Sequence, residues 1–266
     1  MVSHGNRYAI AFNGEIYNHT ELRSELNRTS PGVHWKGRSD TEVLLAMVEH
    51  CGVKSALGRC VGMFAFALWD RLDRTLWLGR DRLGEKPIYW GKIGDVLLFG
   101  SQLDALRASP AASSLQVDRS ALALMMRYGY VPSPYSIYEG VRKLAPGTLL
   151  RVDHTTGKST EEEFWSFRGF VPGGPHPRWQ GTTQEAVDEL ERLLKRSIGQ
   201  QMVADVPVGA FLSGGVDSST VVALAQGMSG RSVQTFSIGF HSVNITRRTR
   251  RARLHATWAR IIPSYT

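Results

Sequence analysis

The stretch Ser213-Gly-Gly-Val-Asp-Ser-Ser219 lies between apolar runs at residues 208–212 and 220–226, and it limits what this chain can fold into more than any other segment. Adjacent glycines let backbone N–H groups approach an oxyanion, a helix starting there adds its partial positive charge, and hydroxyls donate further hydrogen bonds. The segment therefore predicts a strand, a phosphate-binding loop built on Ser213, Gly214, Gly215, Ser218 and Ser219, and a helix. An ordinary glycine turn is the bland alternative. The loop lacks the Gly-Lys-Ser/Thr ending of a Walker loop, so transfer of a γ-phosphoryl group is not its natural chemistry. Asp217 is placed to orient the loop or to help hold a magnesium ion.

Upstream, the pattern is that of a layered α/β unit. Residues 8–12 form a short apolar run that Asn13-Gly14, a turn signal, is expected to end, and residues 20–26 have helical character. Ser39-Asp-Thr-Glu42 precedes an apolar-periodic stretch at 43–48 and predicts a capping box, which puts Asp40 in a first helical turn. Runs at 63–69 and 75–78, separated by polar residues 70–74, predict a hairpin. Further strands are expected at 88–90, 96–99, 148–152 and 164–167, and a helix at 121–126. Residues 171–181 hold three prolines and three glycines, which places a linker there between a domain at 1–170 and a second one beginning at 182. A helical pattern then runs from Thr183 to Ile198, and a strand is expected near 235–240.

The glycine-serine loop in this strand–loop–helix setting resembles the pyrophosphate loop of the N-type ATP pyrophosphatases. The resemblance implies ATP and Mg2+ as cofactors, with Leu212 and Ile238 bordering the adenine and Asp217 near the metal. The first domain carries Phe12-Asn-Gly-Glu-Ile-Tyr-Asn18, Ser39-Asp-Thr-Glu42, Gly62-Met-Phe-Ala-Phe-Ala-Leu-Trp-Asp70 and Arg80-Asp-Arg-Leu-Gly-Glu-Lys-Pro87. In that order these are similar to the class II glutaminase of glutamine-dependent asparagine synthetases, over residues 6–240. The fold so implied is α/β: an N-terminal nucleophile hydrolase αββα sandwich followed, at 182–240, by the start of a Rossmann-like pyrophosphatase domain. Taken alone, Asn13-Gly14 reads as a turn and Asp40 as a cap. Within the resemblance, Asn13 and Gly14 would stabilise the oxyanion formed on attack at the glutamine amide, while Glu15 and Asp40 would hold its α-amino and carboxyl ends. The implied reaction is ATP-dependent conversion of aspartate and glutamine to asparagine and glutamate through β-aspartyl-AMP, in a cytoplasmic enzyme whose parent form is a homodimer. A β-lactam synthetase-like amide former shares both domains and differs in the acceptor.

The chain also departs from the family pattern. The family nucleophile is a cysteine directly after the initiator methionine, whereas Val2 stands here and the segment expected before Gly5 is missing, so an inactive fragment is the expectation. Cys51 and Cys60, nine apart, fit neither a metal site nor a disulfide framework. The net charge of +8 comes mainly from six arginines after residue 240, in a stretch without a carboxylate, so residues 1–240 are close to neutral. Read from the third base of each codon, residues 256–266 permit the family string HLGTDHTELY. We therefore read 241–266 as a frameshifted tail and expect no nucleic-acid partner and no membrane. A tail built to bind nucleic acid or membrane, and a non-catalytic partner of a complete synthetase, are the other two readings. Exposed or poorly packed residues are expected throughout that tail.

Overall fold

The computed structural model describes residues 1–171, 179–238 and 264–265. They divide into two compact units, Met1–His176 and Pro177–Thr266.

In the first unit the elements are β1 (Tyr8–Ile16), α1 (His19–Thr29), α2 (Asp40–Cys51), α3 (Val53–Arg59), β2 (Gly62–Asp70), β3 (Thr75–Arg80), β4 (Tyr89–Ile93), β5 (Val96–Gly100), α4 (Leu103–Arg107), α5 (Arg119–Tyr128), β6 (Val141–Lys143), β7 (Thr148–Asp153) and β8 (Ser159–Glu163). A five-stranded antiparallel sheet has the order β1-β2-β3-β7-β8, and a three-stranded one the order β5-β4-β6. Alternation along β2 explains how the layers stack. Phe64, Phe66 and Leu68 point to one face and pack with Leu26, Val43, Leu44, Met47 and Leu57 of the helices. Ala65 and Ala67 point to the other and pack with Leu78, Leu150, Ile88 and Leu144, joining the two sheets. On the far side of β5, Leu106 of α4 lies against Gly100, so the layers run helix, sheet, sheet, helix.

The segment after β3 is fixed by the buried Asp81 and the half-buried Arg80. The carboxylate of Asp81 accepts N–H bonds from Phe64, Leu83, Glu85 and Lys86. The Arg80 guanidinium donates to the carbonyls of Gly84, Lys86 and Leu144, and burial lowers its pKa. These bonds satisfy groups that would be costly to leave unpaired.

Several local expectations are corrected. Asn13-Gly14 does not end a strand: β1 continues to Ile16, paired with β2 from Tyr8↔Asp70 to Ile16↔Gly62. Glycine is needed at 14 for a different reason, since a Cβ there would lie 2.1 Å from the Met63 carbonyl oxygen and φ is +151°. Ser39 caps α2, its Oγ accepting from Thr41 N–H, yet the capping box does not close. Glu42 instead reaches back to accept from the N–H groups of Lys36 and Gly37. Residues 164–167 are not a strand. The last strand is β8, whose Ser-Thr-Glu-Glu-Glu sequence shows no apolar alternation because it is an exposed edge.

The second unit holds α6 (Thr183–Gln201), β9 (Gly209–Phe211), α7 (Val216–Met228), β10 (Gln234–Phe236) and β11 (Ser264–Tyr265). Thr182 and Glu185 close a capping box at the start of α6. The three strands are parallel, in the order β11-β10-β9, and β9 and β10 pair from Gln234↔Gly209 to Phe236↔Phe211. Of the tail, Ser264 and Tyr265 pair along the backbone with Thr235 and Phe236. Residues 239–263 and 266, with Trp258, Ile261 and Ile262, lie outside the described residues, as do 172–178 of the expected linker.

Candidate functional site

The first set of candidate residues gathers at the end of β1. Backbone amides of β1 alternate between β2 and the open edge. Met1 pairs with Ile10 on that edge, and Ile16 N–H is taken by Asp40 Oδ2 at 2.9 Å. Phe12 and Gly14 lie between them on the same edge, so the Gly14 N–H points outward with no partner among the described residues. Asn13 turns to the opposite face, where its Nδ2 donates to Ser101 Oγ at 2.9 Å. Glu15 is exposed. Asp40 is more occupied than a free ligand-binding carboxylate, since its Oδ1 also accepts from Thr41 N–H at 2.6 Å. It thus ties the first turn of α2 to the end of β1, next to Gly14 and Glu15 in the chain, while Asn13 faces Ser101. Burial, then Glu85 and Glu15, push the neighbouring Tyr17 up to about 12, so its phenol stays protonated at neutral pH.

Neither cysteine competes for the role of nucleophile. Cys60 is fully buried, and burial raises its thiol to about 12; Cys51 donates to the Met47 carbonyl at 3.2 Å and is raised by burial as well. A thiol must ionise to attack, and both are held in the neutral form.

The second set forms the turn between β9 and α7. The helix begins at Val216, four residues earlier than the apolar run predicts, so Asp217, Ser218 and Ser219 lie in its first turn. Its first backbone bond runs from Ser219 N–H to Gly215 C=O. The N–H groups of Val216, Asp217 and Ser218 therefore have no acceptor within the helix, and a chain end of this kind attracts an anion. Gly214 at φ +80° makes the turn that aims them. Ser218 Oγ bridges the loop, accepting from Ser213 N–H at 3.3 Å and lying 3.0 Å from Ser213 Oγ. Leu212 is packed under α7 with Val222, so only its backbone lines the turn, and its carbonyl accepts from Ser237 Oγ. Ile238 is 77% exposed. Among the described residues no three His, Cys, Asp or Glu side chains cluster as a metal cage, and Asp217 is the one carboxylate of the 212–219 segment.

Sequence reading missed Ser101, 88 residues from Asn13, because a serine after a strand carries no signal of what it faces. It also missed the paired roles of Arg80 and Asp81, although both stand in a motif it singled out.

Residues 1–165 match the glutamine amidotransferase domain family, and residues 189–262 match asparagine synthase, a match that runs beyond Phe240 into the segment read as a frameshifted tail. Asparagine synthetase [glutamine-hydrolyzing] 1 of Bacillus subtilis is 37% identical over 88% of this chain and 35% of its own length. A putative asparagine synthetase of Mycobacterium bovis is 38% identical over 88% and 35%. The chain thus spans about a third of the length of these relatives. Among solved structures, the glutamine phosphoribosylpyrophosphate amidotransferase from B. subtilis, complexed with ADP and GMP, aligns with a TM-score of 0.44 at 18% identity, covering 96% of this chain and 52% of that one. No helix of the described residues is long and apolar enough to cross a membrane.

Proposed function

Because the chain belongs to the glutamine amidotransferase family, we propose that it carries the glutamine-binding part of an asparagine synthetase-type ligase together with the ATP loop of the synthetase part. The observation that carries this reading is the open end of β1. There the outward Gly14 N–H, the exposed Glu15 and the Asp40 carboxylate bonded to Ile16 N–H lie along one strand end and one helix start, with the Asn13 amide on the adjacent face. A hydrogen-bond donor beside two carboxylates suits an amino acid with a side-chain amide: the carboxylates take its ammonium group, and the donors face the amide oxygen.

In the second unit, ATP would set its phosphates against the N–H groups of residues 214–218, with Ser213, Ser218 and Ser219 contributing hydroxyls. The backbone at Leu212 and the side chain of Ile238 would flank the base. One carboxylate beside a phosphate cradle fits Mg2+, which keeps several waters and binds mainly through phosphate oxygens. Asp217 would hold it there, and the ion would neutralise phosphate charge. Aspartate as acceptor is inferred from the relatives, with β-lactam synthetase-like chemistry the alternative. The raised pKa values of both thiols support binding without hydrolysis, and glutamate release from glutamine is expected to stay at background.

Calorimetric titration of the full chain with glutamine tests the first site. Glu15→Gln, an exposed change, is expected to weaken glutamine about tenfold by removing one carboxylate from the ammonium. Equal affinity for glutamine in the two proteins overturns the assignment of Glu15, and cysteine-dependent release of glutamate overturns the account of the thiols.

A further inference from the structure

The helix layer of the first unit leaves one corner of the larger sheet uncovered. α2 ends at Cys51, and Gly52, at φ +80°, turns the chain into α3 with open space where a Cβ would stand. Beside that turn lies a cleft of about 490 Å3, a size that suits a small ligand. Cross-strand pairing explains what floors it. Trp77 pairs with Arg151 and Arg151 with Thr160, so these three side chains share one face of the sheet. Tyr8, Asp70 and Thr75 occupy the neighbouring rung on the same face. The cleft is at the start of β1, about 20 Å from Gly14 and Glu15 near the end of that strand.

The charges in the cleft are unevenly paired. Arg7 donates to Asp70 through Nε and Nη2, and the same Nη2 reaches Asp73 Oδ2 at 2.9 Å. One guanidinium thus serves two carboxylates, and Asp73 keeps its Oδ1 without a partner among the described residues on a side chain that is 56% exposed. Glu162 is matched by Lys54 at 3.0 Å. Arg151 is matched by nothing: its guanidinium lies 5.7 Å from the centre of the Trp77 ring and makes no hydrogen bond or ion pair among the described residues. Asp153, two residues along the strand, accepts from Thr156 instead. A guanidinium held over an aromatic ring still offers its N–H fork to a carboxylate. The cleft therefore has an excess negative charge on its Arg7 side and an unpaired positive charge on its Arg151 side. The Trp77 indole stands on the strand between them.

We propose that this cleft binds a free α-amino acid with an apolar side chain. Its carboxylate pairs with Arg151, its ammonium group with Asp73, and its side chain lies against Trp77 and Val53. An apolar anion or an apolar amine satisfies one side of the cleft and leaves the other unpaired. The inference does not rest on the functional reading above, because it uses neither the end of β1 nor the glycine-serine turn, and its probe is neither glutamine nor ATP.

The probe is L-leucine, titrated into the full chain and followed at the Trp77 indole N–H by two-dimensional NMR, with that signal assigned from its loss in Trp77→Phe. Two half-ligands accompany it: 4-methylpentanoate, which lacks the ammonium group, and 3-methylbutylamine, which lacks the carboxylate. A saturable shift is expected for leucine, with each half-ligand binding about tenfold more weakly or worse. Arg151→Gln and Asp73→Asn, both at exposed positions, should each weaken leucine about five- to tenfold and leave the amide shifts of β1 and β2 in place. Absence of a saturable shift at Trp77, equal binding of either half-ligand, an affinity unchanged in Arg151→Gln, or leucine shifts centred on Gly14 and Glu15 would each overturn the proposal.

Discussion

The two units differ in how much core their sheets enclose. In Met1–His176, β1, β2 and β3 form an antiparallel run in which β2 and β3 are joined by a tight turn, and α2 buries Val43, Leu44, Leu45, Met47 and Val48 against it. In Pro177–Thr266 the sheet is parallel, α6 buries no residue over nineteen positions, and the buried cluster is Leu212 and Val222 with Ala210 packed against it. Parallel sheets need cover on both faces. Here α7 covers one, while Phe211, 75% exposed, and Phe236 stack edge to face on the other. The first sheet has helices packed on a large buried cluster, whereas one face of the parallel sheet carries exposed rings.

If that contrast is right, core truncations should separate the units sharply. Phe64→Ala should cost about 3–5 kcal/mol in chemical denaturation, whereas Leu193→Ala on α6 should stay within about 0.5 kcal/mol. Comparable losses would show that α6 is buried after all. Next in size is Glu42→Gln. Burial pushes the Glu42 carboxyl up, but the N–H groups of Lys36 and Gly37, with His4 and Arg23, outweigh it and hold the pKa below the usual carboxylate value. A depressed carboxylate contributes stability that is present above its unfolded pKa and is lost as pH falls through the folded one. The substitution should therefore cost about 1–3 kcal/mol at neutral pH and progressively less below about pH 4. A penalty independent of pH would mean that the geometry of the side chain matters and its charge does not. The smallest effect belongs to the second unit. Thr182→Ala removes the cap of α6 and should cost about 1 kcal/mol or less, visible as fraying by circular dichroism.

The same contrast governs what could be read from sequence. Where packing follows local periodicity, the text of the chain is explicit: the β2–β3 hairpin, the Ser39 cap and α6 all fall where the apolar spacing puts them. Where pairing to another strand decides, local signals mislead. Asn13-Gly14 carries a turn signal, yet pairing with Phe64 and Ala65 keeps it in a strand, and its functional reading came from the family resemblance. The polar Ser159–Glu163 becomes a strand only because β7 offers an edge. At the glycine-serine turn the strand–loop–helix order was legible and the helix start was not, since Val216, Asp217 and Ser218 carry no periodic apolar signal.

The central claim is that this chain joins a glutamine-binding unit to a working phosphate cradle. A Mg-ATP titration followed by amide chemical shifts tests the cradle most directly. The account predicts weak but saturable shifts at the amides of residues 212–218 and at Ile238, about tenfold weaker after Asp217→Ala. Shifts that spare residues 213–218, or an affinity indifferent to Asp217, would contradict it.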